Sequence, residues 1–249
     1  MIVDRKTAGD GTMMDDLARK SAPHGDLAEQ DKPAIAVAIR VPRPRDPERT
    51  RRAILDAATA EFVQHGFGGA SVNEIAARAQ VNKRMLYHYY GKKDDLYLAV
   101  LECCYHRIRS AERQLRLTNL APREAVETLV LFTWNYFLEH PEFLSLINTE
   151  NMLEARYLRQ SERIGELHSP LIEMLSDVLR RGAAEGVFRE GVDPVQLYID
   201  IASLGFFYLS NRHTLSTIFR RDLGDEAMLR ERGRHVVDVI LGYLASPPR

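Results

Sequence analysis

Asn82-Lys83-Arg84-Met85 sets a helix-capping amide immediately before two long cationic donors and a thioether. At the start of a short helix these residue types suit base reading in a major groove. Lys83 and Arg84 can donate to guanine O6 and N7, and Met85 can touch a thymine methyl. Thr50 and Ser71 add hydroxyls at helix starts, where unpaired backbone N–H groups also favour an anion such as a phosphate. Other chemistry is harder to build. His65-Gly-Phe-Gly-Gly69 has the glycines of a phosphate loop, but a dinucleotide fingerprint must follow a strand, and a helix precedes this one. Glu102 and His106 are one helical turn apart, a spacing that metal ligands use, yet a lone pair more often makes a surface contact. Cys103 and Cys104 are neighbours, a poor geometry for a bridge between them, and the free thiol usually acts as a small buried hydrophobe. No nucleophile, acid/base pair or metal set has diagnostic spacing. The reading is therefore no enzyme, no cofactor and no metal, with an all-helical enzyme as the rival class and a helical protein-interaction module as a third possibility.

The elements that must position these residues read as helices throughout. Asp46-Pro47-Glu48 is a start signal, with a side-chain cap and Pro at the first helical position. Ile54, Ala58 and Phe62 then recur on one face, and Gly66 supplies the positive φ that ends the helix. Ser71-Val-Asn-Glu74 has the pattern of a capping box and opens a second helix to about Arg78. Asn82 caps a third helix, Gly91 breaks it, and a long helix runs from about Lys93 to Leu117. Further helices are expected over 122–139, 141–153, about 160–186, 194–215 and 225–244. Pro170 predicts a kink or break in one of them. Residues 1 to about 45 are unpatterned, and the Arg40–Arg45 run, rich in Pro, is either a basic arm along DNA or a solvated linker.

Three short helices followed by a long one make a helix-turn-helix whose third helix is the reader. The stretch FGGASVNEIAARAQVNKRMLYHYYGKKDDLYLAVL resembles the DNA-binding domain of the TetR family of regulators. The features that carry the resemblance are Phe67 after Gly66, the NEIAARA helix, Leu86-Tyr87, the aromatic run to Tyr90, and Gly91-Lys-Lys-Asp-Asp-Leu96. Gln80 departs from the Gly common in the turn and implies a slightly different turn geometry. Arg84 and Met85 replace smaller residues, which bears on the operator sequence. The resemblance implies that Asn73 faces a base from the second helix, and that Tyr87, Tyr89 and Lys93 meet phosphates. Leu86 and Tyr90 read as core.

The resemblance also implies the architecture: an all-α chain with a disordered or basic arm (1–45), a helix-turn-helix domain (46–92) and a helical ligand-binding and dimerisation domain (93–249). The charge pattern agrees. Residues 40–100 carry 11 Lys and Arg against 7 Asp and Glu, and residues 101–249 carry 18 against 21. A basic head beside a mildly acidic body suits nucleic acid on one side only. The implied partners are double-stranded, (pseudo)palindromic operator DNA, a small-molecule effector and a second copy of the chain. Repression relieved by the effector is the function implied, with ligand-dependent activation or corepression as the alternative. For the effector, Trp134 offers aromatic surface, and Asn148, Glu150 and Asn151 cluster polar groups beside an apolar run. A plain aromatic core with a polar helix end fits the same residues. The outline from PEFLSLINTEN through the HSP segment resembles a subgroup of the family that includes the pyrimidine-utilisation regulator, which implies a small polar or aromatic effector. Two Cys, no apolar run of about 18 residues and no signal-like N-terminus lead to an expected cytoplasmic, nucleoid-associated placement without membrane contact.

Overall fold

The structure, a computed structural model, describes residues 46–245, leaving aside the side chains of Leu167 and His168. The arm at 1–45 therefore lies outside the described residues. The order is α1 (Pro47–Gly69), α2 (Val72–Arg78), α3 (Lys83–Tyr90), α4 (Lys93–Gln114), α5 (Pro122–Glu139), α6 (Pro141–Met152), α7 (Glu162–Ala184), α8 (Pro194–Phe219) and α9 (Glu226–Ala245). Single 3-10 turns follow α4 and α6, and no strand occurs among the described residues.

Local signals set most of these boundaries. Asp46 accepts the Glu48 N–H at 3.0 Å to start α1. Gly66, at φ 64°, bends the chain out of helix, and one more turn follows to Gly69. Gly91, at φ 73°, stops α3. A Cβ there would sit 2.6 Å from Asp95 Oδ2, the atom that takes the Lys92 N–H at 2.8 Å to start α4. Asp193 caps α8 through the Val195 N–H at 2.7 Å. The expected helices differ in detail at their ends: α4 stops at Gln114, and α8 continues to Phe219.

One expectation loses its second alternative and another needs correction. α7 runs through Pro170 without a break. Ser71 flanks α2 but its side chain makes no cap hydrogen bond. The N–H that the Glu74 side chain would satisfy in a capping box is taken at 3.0 Å by Glu61 Oε1 of α1. A carboxylate delivered from a neighbouring helix has displaced the local partner.

The apolar packing forms two bodies. One contains Ile54, Phe62, Ile75, Leu86, Leu96 and Tyr97 and continues into Trp134, Phe137, Phe143 and Tyr208. The other gathers Leu117, Leu129, Leu175, Val178, Ile201 and Ile240 in the far half of the bundle. The first has no break at 92/93, because α1 packs against both α4 and α6. Burial of these faces, at about 25 cal/mol per Å² of apolar surface, is the main force holding the head on the body.

Candidate nucleic-acid interface and effector site

α3 is built to present its first turn. The Asn82 side chain accepts the Met85 N–H at 2.8 Å, fixing the chain where it enters the helix. Leu86 is fully buried and pins the helix from beneath. Asn82, Lys83 and Arg84 are exposed, and Met85 is half-buried. Lys83 Nζ lies 5.8 Å from the exposed Tyr87 ring, and the Arg51 guanidinium lies 5.4 Å from the Tyr89 ring. Tyr90 is half-buried and donates its hydroxyl to Arg51 O at 3.1 Å, tying the end of α3 to α1.

The turn before α3 keeps left-handed geometry despite lacking glycine. Gln80 stands at φ 54°. Its N–H reaches Ala77 O at 3.1 Å and the Val81 N–H reaches Ala76 O at 3.0 Å, the paired bonds of a Schellman stop. Gln80 thus takes the left-handed conformation that Gly commonly supplies, at the backbone cost a side chain brings there.

The other expected DNA contacts are carried by α1, by α2 and its start, and by the first residue of α4. Asn73 is exposed on α2, Ser71 and Thr50 are half-buried, and the Thr50 hydroxyl donates to Asp46 O at 3.1 Å. Lys93 is half-buried, with Nζ 4.9 Å from the Phe67 ring centre and 3.5 Å from Gly68 O. It is held against the loop that follows the Gly66 bend.

In the body, the four proposed effector residues do not converge. Trp134 is buried, and a Cβ on Gly233 would lie 2.9 Å from its ring. Glu150 is buried at 1% exposure and accepts the Tyr157 and Leu158 N–H groups at 2.7 and 2.9 Å. It therefore fastens the loop after α6, and that loop carries Tyr157 onto Phe67 and Tyr97, with ring centres 4.7 and 5.0 Å away. Asn151 is exposed. Asn148 donates to Ser210 Oγ at 3.4 Å and lines a cleft of about 240 Å³ with Phe137, Leu144, Leu209 and Arg212.

Glu61, Arg109 and Glu112 were not anticipated from sequence. Glu61 falls on the apolar face of α1, seven residues after Ile54, and a carboxylate there is the signal that a buried donor awaits it. Arg109 and Glu112 lie on the inner face of α4 at 2% and 0% exposure, 2.9 Å apart between Nη1 and Oε2. Glu102 and His106 are engaged elsewhere: Glu102 accepts from Ser161 Oγ at 2.6 Å, and His106 Nδ1 is 3.4 Å from Ser110 Oγ. Among the described residues no three His, Cys, Asp or Glu side chains are grouped to hold a metal. Burial pushes the Cys104 thiol up to about 12, which leaves it protonated and unreactive.

Comparison with known proteins settles the ancestry. The model for the "Bacterial regulatory proteins, tetR family" matches residues 54–100, and that for the "Tetracyclin repressor-like, C-terminal domain" matches 122–240. The HTH-type transcriptional repressor NicS of Pseudomonas putida KT2440 is 39% identical over 184 residues, covering 74% of this chain and 87% of its own. This chain belongs to the TetR family. It is thus a DNA-binding transcriptional regulator, in a family of regulators rather than enzymes. The regulator RutR of Escherichia coli K12 is 26% identical over 199 residues, covering 80% of this chain and 92% of its own. The TetR fold recurs in the crystal structure of FadR from Bacillus subtilis in complex with stearoyl-CoA. That structure has a TM-score of 0.58 at 17% identity, covering 78% of this chain and 98% of that one. Among the described residues no helix is long and apolar enough to cross a membrane.

Proposed function

We propose that this TetR-family chain is a repressor that binds a (pseudo)palindromic operator as a homodimer and leaves it when a small-molecule effector enters the body. The observation that carries the reading is the first turn of α3. Its cap is fixed by Asn82 and its apolar side is buried through Leu86, while Lys83 and Arg84 extend into solvent. Arg84 reads a base edge, Lys83 and Met85 flank it, and Asn73 reads from α2. Thr50, Ser71, Tyr87, Tyr89 and Lys93 meet the phosphates on either side. Such a division into base readers and phosphate contacts gives register and sequence preference together.

Support for pairing comes from α8 and α9. Val195, Ile199 and Phe207 on α8 and Val239 and Tyr243 on α9 are large apolar side chains left exposed on a single chain. Covering them with a second copy removes apolar surface from water and places two reading helices about one DNA turn apart, near 34 Å. The head is residues 46–92 and the sensing and pairing body is 93–249. Of the four residues first considered for the effector, Asn148 keeps a place because it lines an open cleft, whereas Trp134 and Glu150 have packing roles. A nucleoid-associated location follows from operator binding.

The test is a footprint of purified protein on the intergenic DNA beside its own gene, repeated with a panel of metabolites. A protected, salt-sensitive site with two-fold sequence symmetry, lost on adding one compound, is the expected result. Indifference to every promoter fragment at low salt would overturn the reading. Protection that appears only when a metabolite is added would make it a corepressed or activated system instead.

A further inference from the structure

We propose that Arg109, with Glu112 beside it, is the polar anchor of the effector site, that the Tyr198 hydroxyl is the group an effector displaces from it, and that the effector is a small carboxylic acid with a flat or apolar body. This rests on the reading that the body senses a small molecule, and it names the chemistry of that molecule.

Arg109 and Glu112 are a complete ion pair sealed inside the bundle, yet they are poorly satisfied. Arg109 Nη2 donates to the Tyr198 hydroxyl at 2.5 Å. Nη1 approaches Glu112 at ion-pair distance without hydrogen-bond alignment, and Nε and both Glu112 oxygens have no hydrogen-bond partner. Two ions taken out of water need all their donors and acceptors used, and apolar side chains of the same volume would serve stability as well or better. A function other than packing accounts for keeping them.

The spare valences match one group. In a guanidinium, Nε–H and Nη2–H point the same way and form a fork that fits both oxygens of a carboxylate. Tyr198 now occupies one tine and the other is vacant. A carboxylate placed where the Tyr198 hydroxyl sits would take both. Burial also pushes the Glu112 carboxyl up to about 7, against Arg109 and Arg113 on its own helix, while Tyr198 of α8 and Tyr136 of α5 face it. Near neutrality it can therefore carry a proton, which lessens its repulsion of an incoming anion. The Tyr198 ring lies 5.1 Å from the guanidinium, and Tyr105, one turn before Arg109 on the same helix, packs edge-on against Phe143 at 5.5 Å. A flat or apolar remainder suits those rings. Tyr198 is half-buried while Arg109 and Glu112 are buried, so its ring is the member of the set an entering ligand meets first.

The same contact offers a route to the DNA. Arg109 is on α4, whose other end follows directly on the reading helix, and Tyr198 is on α8. Exchanging the Tyr198 hydroxyl for a ligand carboxylate removes the bond that ties the two helices together here. The effector thus acts on the tie itself.

The test uses the full chain and three probes, benzoate, phenylacetate and hexanoate, each against its primary amide. Binding is read by calorimetry and by the shift in melting temperature. At least one carboxylate should bind about tenfold or more tightly than its amide, the size expected for a charge-assisted pair. Arg109→Lys, which keeps charge and loses the fork, should erase that preference. Tyr198→Phe, which removes the competing hydroxyl, should tighten carboxylate binding several-fold, an effect that a purely structural tyrosine would not produce. Should Arg109→Lys fail to fold, Tyr198→Phe decides alone. No preference for any carboxylate over its amide, or weaker binding by Tyr198→Phe, would refute the anchor. Operator titrations in parallel separate the two proposals. If carboxylates bind through Arg109 and leave operator affinity unchanged, the anchor stands and the sensor reading falls. If a metabolite releases the operator equally well from the wild type and both variants, the sensor reading stands and the anchor falls.

Discussion

Replacing Glu61 tests whether a buried carboxylate on α1 organises the reading head. Its Oε1 accepts the Ser71 N–H at 3.0 Å, and the side chain is almost wholly buried. A buried hydrogen bond to a charged group is worth about 1.5–3 kcal/mol. Arg78 at 3.8 Å and His65 at 4.0 Å are each nearly half exposed, so they add only about 0–1 kcal/mol apiece. Glu61→Ala should therefore cost about 3 kcal/mol, which in a chain of this size lowers the melting temperature by about 6–12 °C. Glu61→Gln keeps an acceptor and should cost about 1 kcal/mol. Urea unfolding gives the stabilities, and operator titration gives the functional side: with the start of α2 loosened, affinity should fall alike for good and poor operator variants. If Glu61→Ala unfolds within about 0.5 kcal/mol of the wild type, the bond to Ser71 does not organise α2.

Gln80→Gly should stabilise the head by about 0.5–1 kcal/mol, because the left-handed turn costs a side chain more than glycine loses in backbone entropy; a lower urea midpoint would contradict this. Arg84→Ala should reduce discrimination at one operator position by about 1–3 kcal/mol, read as affinities across single-base variants, and an unaltered preference would remove it from base readout. Lys93→Ala should weaken all sequences alike and reduce the slope of log affinity against log salt by about one; an unchanged slope would leave Lys93 as a packing residue on Phe67. Glu112 is pushed up to about 7 by burial, from an ordinary value of 4.5, so the folded chain holds a proton that the unfolded chain releases. Its contribution is complete below about pH 4.5 and is lost as pH rises through about 7, approaching about 3 kcal/mol. Urea midpoints should fall between about pH 4.5 and about pH 7 and level off above that, and Glu112→Gln should flatten the fall.

What was legible in the sequence is what local geometry decides. Asn82 reaches an N–H three residues on, and Gly66 and Gly91 take positive φ whatever surrounds them, so cap and stops were readable. Gln80 shows the limit from the other side: the residue type argued for a changed turn, while the folded chain holds it at φ 54° in a Schellman stop. The capping box at Ser71 failed because the N–H that Glu74 would accept is claimed by a side chain distant in sequence. Glu150 looked like a ligand group beside an apolar run, and only the folded chain shows the two N–H groups it serves. Arg109 and Glu112 gave no signal, since a charged pair three residues apart on a helix usually faces water.

The contact of Phe67 and Tyr97 with Tyr157 has a consequence for engineering. Grafting this reading head onto a relative's sensor by cutting at the start of α4 would sever a shared aromatic seam and leave half of it facing the wrong counterpart. A working chimera has to bring the stretch from Glu150 to Leu158 along with the head, so the natural module for transplantation is discontinuous in sequence.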